Sequence, residues 1–114
     1  MGYRVVAKAM ALRGARYLHV LVPCPLGWGT ASCDTIRVAR LATQCGLFPV
    51  YEAEYGEVVS VSPIRHRVPV EEYLRPQSRY AHLFAPKRRD DILDTLQAMA
   101  DRNVAEYAIE VGMP

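Results

Sequence analysis

The residue whose surroundings carry the most chemistry is Cys24, in the run Pro23-Cys24-Pro25-Leu26-Gly27-Trp28-Gly29. Each proline fixes its own φ near −65°, and Pro25 restricts the backbone of Cys24 as well. Residues 17–22, which read as a strand, feed directly into this turn. A thiol is thus delivered at a sheet edge on stiff backbone, which is more than a core cysteine needs. Three chemistries stay open for it: a half-buried structural thiol, a nucleophile, or a thiolate ligand to a metal or iron–sulfur cluster. A nucleophile wants a nearby base. His19 lies five residues earlier, about 16 Å along a strand, and reads instead as a core or interface histidine. A ligand completing a cluster built mostly elsewhere needs no local base.

The other candidate groups are weaker. Cys33 and Cys45 follow at separations of nine and twelve residues, with no C-x-x-C pair, and match no common zinc spacing. Cys33 precedes a helix, whose N-terminus lowers a thiol pKa, but it is read as structural. Cys45 falls on an apolar helix face and reads as core. The three histidines, His19, His66 and His82, sit on different elements. Any metal would therefore need ligands from outside this chain. Gly27-Trp28-Gly29-Thr30 lacks both the G-x-G-x-x-G spacing and a Walker lysine. Trp28 is expected to cover something apolar, either a cluster or a partner subunit. Glu71 and Glu72 are adjacent and need not converge as an acid/base pair. Arg65, His66, Arg67, Arg75, Arg79, Lys87, Arg88 and Arg89 make the second half patchily basic. They are expected to be solvated or paired with Glu71, Glu72, Asp90 and Asp91, the alternative being a docking surface for an acidic partner.

The elements that position these groups read as α/β. Residues 5–12 look like the end of a helix closed by Gly14. The run 17–22 is apolar almost throughout, the pattern of a parallel strand covered on both faces. A second helix starts near Asp34, whose carboxylate is expected to cap it. Ile36, Val38, Ala39, Leu41, Ala42 and Cys45 form its apolar side, and Gly46 stops it. Residues 47–52 read as the next strand, which makes a βαβ unit with the cysteine turn at the carboxyl end of its first strand, where ligands of open α/β sheets bind. Beyond it come a turn at Tyr55-Gly56-Glu57, an exposed strand over 58–62, a basic crossing segment over 62–69, and one or two helical turns over 70–74. A long helix follows over 90–106, with the stripe Ile92, Leu93, Leu96, Met99, Ala100 and Val104 and two aspartates at its start.

The chain has 114 residues, 51% hydrophobic and 23% charged, with a formal net charge of +2. That size suits one domain with a modest core, or a piece of a larger one. No basic arm argues for nucleic acid, and no apolar run approaches the roughly 20 residues that cross a bilayer. The N-terminus lacks a signal-peptide pattern. An odd count of three cysteines fits no disulfide framework. A cytoplasmic protein is expected, without nucleic-acid or membrane partners.

Residues 17–29, 35–42 and 46–52, in that order, closely resemble the C-terminal third of the beta subunit of 2-oxoacid:ferredoxin oxidoreductases of the pyruvate synthase type. The run Pro69-Val70-Glu71-Glu72-Tyr73-Leu74-Arg75-Pro76-Gln77-Ser78-Arg79-Tyr80 is similar to that family's P-V-x-E-Y-L segment leading to Q-x-R-aromatic. The resemblance implies the C-terminal portion of a three-layer αβα thiamine-diphosphate-binding fold with a mostly parallel sheet. It divides the chain into 1–62, a partial α/β core with the βαβ unit and cysteine loop, and 63–114, a helical C-terminal extension. It implies thiamine- and Mg²⁺-dependent oxidative decarboxylation of pyruvate or another 2-oxoacid, with coenzyme A and ferredoxin, alongside alpha, gamma and delta-type subunits or domains. It also implies that Cys24 is the fourth ligand of a proximal [4Fe-4S] cluster, with Trp28 and Leu26 in the cluster surroundings. The other three cluster cysteines and the G-D-G motif for thiamine diphosphate are not in this sequence. The isolated chain is therefore expected to be inactive, with those cofactors bound outside it. A reading of a different class is a non-catalytic interaction or oligomerisation module derived from a thiamine-fold domain.

Overall fold

The computed structural model describes residues 2–112. Helix α1 (Gly2–Ala11) is followed by a long extended segment and the short α2 (Pro25–Trp28). A 3-10 turn, Ser32–Asp34, leads into α3 (Thr35–Gln44), then a hairpin of β1 (Tyr51–Glu54) and β2 (Glu57–Val61). Helix α4 (Val70–Leu74), a 3-10 helix Ser78–Leu83 and α5 (Asp90–Glu106) complete the chain.

The core is helical. Val38, Leu41, Ala42 and Cys45 recur at the spacing of one helix face and are buried against Val70, Tyr73 and Leu74 of α4 and Leu93 and Ala100 of α5. Val68 and Leu83 close the cluster, with Ile92 and Leu96 packed alongside. Of the expected α5 stripe, Met99 alone is exposed, at 42%. Gly46 lets α3 end against α5. Its φ is +89°, and a Cβ there would lie 2.9 Å from Val104 and 3.1 Å from the Ala100 carbonyl. The Asn103 side-chain amide donates to the Gly46 carbonyl at 3.0 Å and seals the junction.

Two expectations about α3 and the sheet are corrected. The Asp34 carboxylate makes no capping bond; the helix is entered through the 3-10 turn, with Asp34 itself in helical backbone (φ −90°, ψ −2°). The βαβ unit does not form. Strand β1 begins only at Tyr51 and pairs antiparallel with β2, in register Tyr51↔Val61 through Glu54↔Glu57. Tyr55 (φ 52°) and Gly56 (φ 88°) make the two-residue connection, the left-handed pair that suits a tight hairpin. Residues 17–22 are in no strand. Among the described residues, 13–23 make no backbone–backbone hydrogen bond. Tyr17 is 85% exposed, Val20 72% and Val22 70%. The physical reason is that a parallel strand covered on both faces needs flanking strands and two covering layers, and the described residues supply none beside it. The sheet has two strands, so the architecture observed is α/β with a small antiparallel sheet.

The molecule is drawn out in consequence. Its Cα radius of gyration is 15.9 Å, against about 13 Å for a compact chain of this length. Helix α1 is tied to the hairpin by Lys8, which pairs with Glu52 at 2.6 Å and Glu54 at 2.8 Å. Tyr3, Val6 and Met10 of that helix are exposed.

Candidate functional site

The turn around Cys24 is built by its own sequence. Cys24 is extended (φ −107°, ψ 108°), as the residue before a proline should be, and stands at the N-cap of α2 with Pro25 in the first turn. The Trp28 N–H donates to the Cys24 carbonyl at 2.8 Å, and the Thr30 N–H to that of Pro25 at 3.0 Å. Gly29 ends the turn in the left-handed region (φ 66°, ψ 46°). The Cys24 thiol is exposed, and its sulfur accepts one contact, from the Gly27 N–H at 3.4 Å.

The neighbouring candidates are placed as follows. Leu26 is almost wholly in solvent, at 96% exposure. Trp28 is half-buried and packs against the helical core. Cys33 is exposed on the 3-10 turn before α3. Cys45 is core: its thiol donates to the Ala42 carbonyl at 3.4 Å, and burial pushes its pKa up. No disulfide joins the three cysteines. Among the described residues, no three His, Cys, Asp or Glu side chains gather to hold a metal ion. His19 is exposed, edge-on to Phe48 with ring centroids 5.1 Å apart. That removes the core alternative for it, because the strand that would have buried it has no sheet to join.

Four of the eight basic residues named in the second half pair with carboxylates among the described residues. Glu71 lies between Arg88, at 2.6 Å, and Arg75, and these two guanidinium groups hold its carboxyl down at about 2. Arg88 also reaches Asp90 at 2.6 Å, Arg89 pairs with Asp91 at 2.8 Å, and Arg67 with Asp101. An open groove beside α3 and α4 is lined by charged groups that include Asp34, Arg37, Glu71 and Arg75.

Arg79 departs from the expectation of a solvated or carboxylate-paired side chain. Its guanidinium lies 4.0 Å over the Trp28 ring and 4.7 Å from that of Tyr80. Its Nε donates at 2.9 Å to Gln77, whose side chain is fully buried. The Ser78 N–H donates to the Gly29 carbonyl at 3.1 Å. A Cβ on Gly29 would lie 1.6 Å from the Ser78 hydroxyl, so the glycine serves this close approach as well as its backbone angle. The Gln77–Tyr80 run is therefore the seat of the cysteine turn. Residue types alone did not assign it that role; the signal was a glutamine and an arginine two residues apart beside an aromatic, in a chain with a single tryptophan.

Comparison with known proteins agrees on one group of relatives. No family model matches the chain. It is 39% identical over 107 residues to pyruvate synthase subunit PorB of Methanosarcina barkeri, covering 94% of this chain and 36% of that protein. It is 40% identical over 99 residues to the subunit of the same name from Methanocaldococcus jannaschii, covering 86% and 31%. Ketoisovalerate oxidoreductase subunit VorB of Pyrococcus furiosus is 33% identical over 96 residues, covering 82% and 29%. The chain spans about a third of the length of the curated relatives it matches. Over most of its own length, the chain is thus homologous to about a third of the PorB-type beta subunits.

Proposed function

We propose that the chain works as part of the beta subunit of a 2-oxoacid:ferredoxin oxidoreductase, with pyruvate as the substrate and coenzyme A and ferredoxin as the acceptors of acyl group and electrons. In that assembly Cys24 supplies the fourth thiolate of a [4Fe-4S] cluster. The observation that carries the reading is the Cys24 turn itself. It presents one exposed thiol on a proline-stiffened backbone, in a chain 39% identical to a pyruvate synthase subunit.

The residues present fit such a group as a single ligand. The sulfur is exposed and has one weak donor, leaving it free to bind iron. Cys33 and Cys45 do not join it, so the remaining thiolates come from elsewhere in the complex. When bound, the cluster accepts and passes on single electrons. The chain's own part is to hold the ligand still. Pro23 and Pro25 restrict the backbone on both sides, and the Gly27 N–H offsets charge on sulfur. Leu26 and Trp28, the apolar side chains of the same turn, exclude water from the bound group. Thiamine diphosphate and Mg²⁺ bind outside this chain, which alone is inactive. The unpaired segment 17–22 joins the sheet of the assembled subunit as a parallel strand, and the alpha, gamma and delta-type partners complete a cytoplasmic complex.

Substituting Cys24→Ser in the complete complex tests the assignment. Iron content is expected to fall and the EPR signal of the proximal cluster to vanish, with subunit assembly retained. A cluster signal identical to that of the parent would sink it. The second reading, an interaction module without cofactor, draws on the exposed apolar side chains of residues 17–22. Recovery of the chain in a stable, iron-free complex would favour it.

A further inference from the structure

The contacts around Arg79 form a continuous strut from the helical core to the thiol. It begins at the fully buried Gln77, whose amide donates to the Tyr73 carbonyl of α4 at 2.5 Å. The oxygen of the same side chain accepts from Arg79 Nε at 2.9 Å, which sets the plane of the guanidinium. The guanidinium carbon lies 4.0 Å from the centroid of the Trp28 ring, within the range of a cation–π attraction. Trp28 in turn donates its backbone N–H to the Cys24 carbonyl at 2.8 Å and so closes the turn that carries the sulfur. Among the described residues Arg79 makes no ion pair with a carboxylate, whereas Arg67, Arg75, Arg88 and Arg89 all do.

A surface arginine without an acidic partner ordinarily samples many rotamers. Here a buried glutamine and two aromatic rings hold it in place. Gln77 is the one buried polar side chain among the described residues, and this pair of bonds compensates its burial.

The geometry points to Arg79 as a positioning residue for Cys24: aimed by Gln77, its guanidinium pins Trp28 and so fixes where the thiol is presented. A planar, always-charged group suits this place, because its Nε donates to the glutamine oxygen while its central carbon lies over the ring. The backbone bond between Ser78 and Gly29 is the second tie, and it leaves the tryptophan end of the turn to Arg79.

Amide hydrogen exchange of the 114-residue chain tests this, read on the peptide spanning residues 24–30. Arg79→Met keeps an apolar stem near Trp28 but has no guanidinium. It is expected to speed exchange at the Trp28 and Thr30 amides by about tenfold, with residues 90–106 unchanged. Arg79→Lys keeps the charge, loses the planar fork, and is expected to fall between the two. Unaltered protection of 24–30 in both variants overturns the proposal. So does an equal acceleration across 90–106 in Arg79→Lys, which would make the residue a general stabiliser.

The consequence for the assembled enzyme rests on the cluster-ligand reading of Cys24. There Arg79→Lys is expected to shift the midpoint potential and EPR line shape of the proximal cluster, while Cys24→Ser removes the signal. Unchanged potential and line shape in Arg79→Lys, with the signal lost in Cys24→Ser, would overturn positioning in the enzyme. A signal that survives Cys24→Ser would overturn the ligand reading instead, and the exchange result on the chain would decide the strut by itself.

Discussion

Residues 2–22 and residues 35–106 handle apolar surface in opposite ways. In the second region Val38, Leu41, Ala42, Leu74, Leu93 and Ala100 are buried against one another across three helices. In the first, Tyr3, Met10, Tyr17, Val20 and Val22 face solvent, and the backbone of 13–23 finds no backbone partner among the described residues. Hydrophobic content does not explain the contrast, since residues 2–22 are the richer of the two in apolar side chains. They differ in where their partners are. The helical cluster closes over contacts that this chain supplies within itself, whereas a parallel strand needs neighbours that only a larger sheet supplies. The cysteine turn lies at the seam between them, seated on the helical side through Gly29 and Trp28.

The largest test of this contrast is Leu74→Ala. Leu74 is 1% exposed, and its truncation is expected to cost about 2–5 kcal/mol of stability in chemical denaturation. A loss within about 0.5 kcal/mol would mean that the helical cluster is not the stabilising unit. Next is Gly29→Ala, which sets a Cβ against Ser78 at a left-handed residue. It is expected to cost about 1–3 kcal/mol and to blue- or red-shift the emission of the single tryptophan as the turn lifts off its seat. An unshifted spectrum would place Trp28 elsewhere.

The triple change of Tyr17, Val20 and Val22 to Ser should move the stability of the isolated chain by no more than about 0.5 kcal/mol. The same change is expected to prevent co-purification with the rest of the oxidoreductase. A large fall in the chain's own melting temperature would erase the distinction between the two regions.

The smallest effect belongs to Glu71. Its pKa is depressed by Arg88 and Arg75, from an ordinary 4.5 to about 2. A depressed carboxylate contributes stability that is present above its unfolded pKa and is lost as pH falls through the folded one. The ion pairs are partly exposed, so the contribution is expected to be under about 1 kcal/mol, lost between pH 4.5 and about 2. Acid titration of Glu71→Gln should be correspondingly flatter in that window. Identical acid profiles for parent and variant would show that solvent screens the pairs completely.

Much of the helical half is legible in residue order. Helix α5 runs from Asp90 to Glu106, where its apolar stripe and acidic start predicted it, and α4 and the end of α3 near Gly46 also match. These elements obey local rules, with period, cap and breaker all within a few residues. The turn at Tyr55-Gly56 is legible for the same reason. The capping role expected of Asp34 failed because a 3-10 turn satisfied the helix start first. The parallel pairing of 17–22 with 47–52 failed because periodicity reports that a segment is apolar, not which strand will lie beside it.

The site divides along the same line. The stiff, exposed presentation of Cys24 follows from Pro23, Pro25 and Gly29, whose backbone preferences act on the turn directly. Where that turn sits was decided only in three dimensions. Gln77 had to be buried beneath α4 before Arg79 could be aimed at Trp28, some fifty residues back along the chain. Sequence alone thus determined α3, α4 and α5, the hairpin turn and the stiffness of the cysteine loop, because each rests on torsional limits and short-range bonds. The seat of that loop, and the unpaired state of the segment leading into it, depend on contacts between distant parts of the chain, which tertiary packing alone decides.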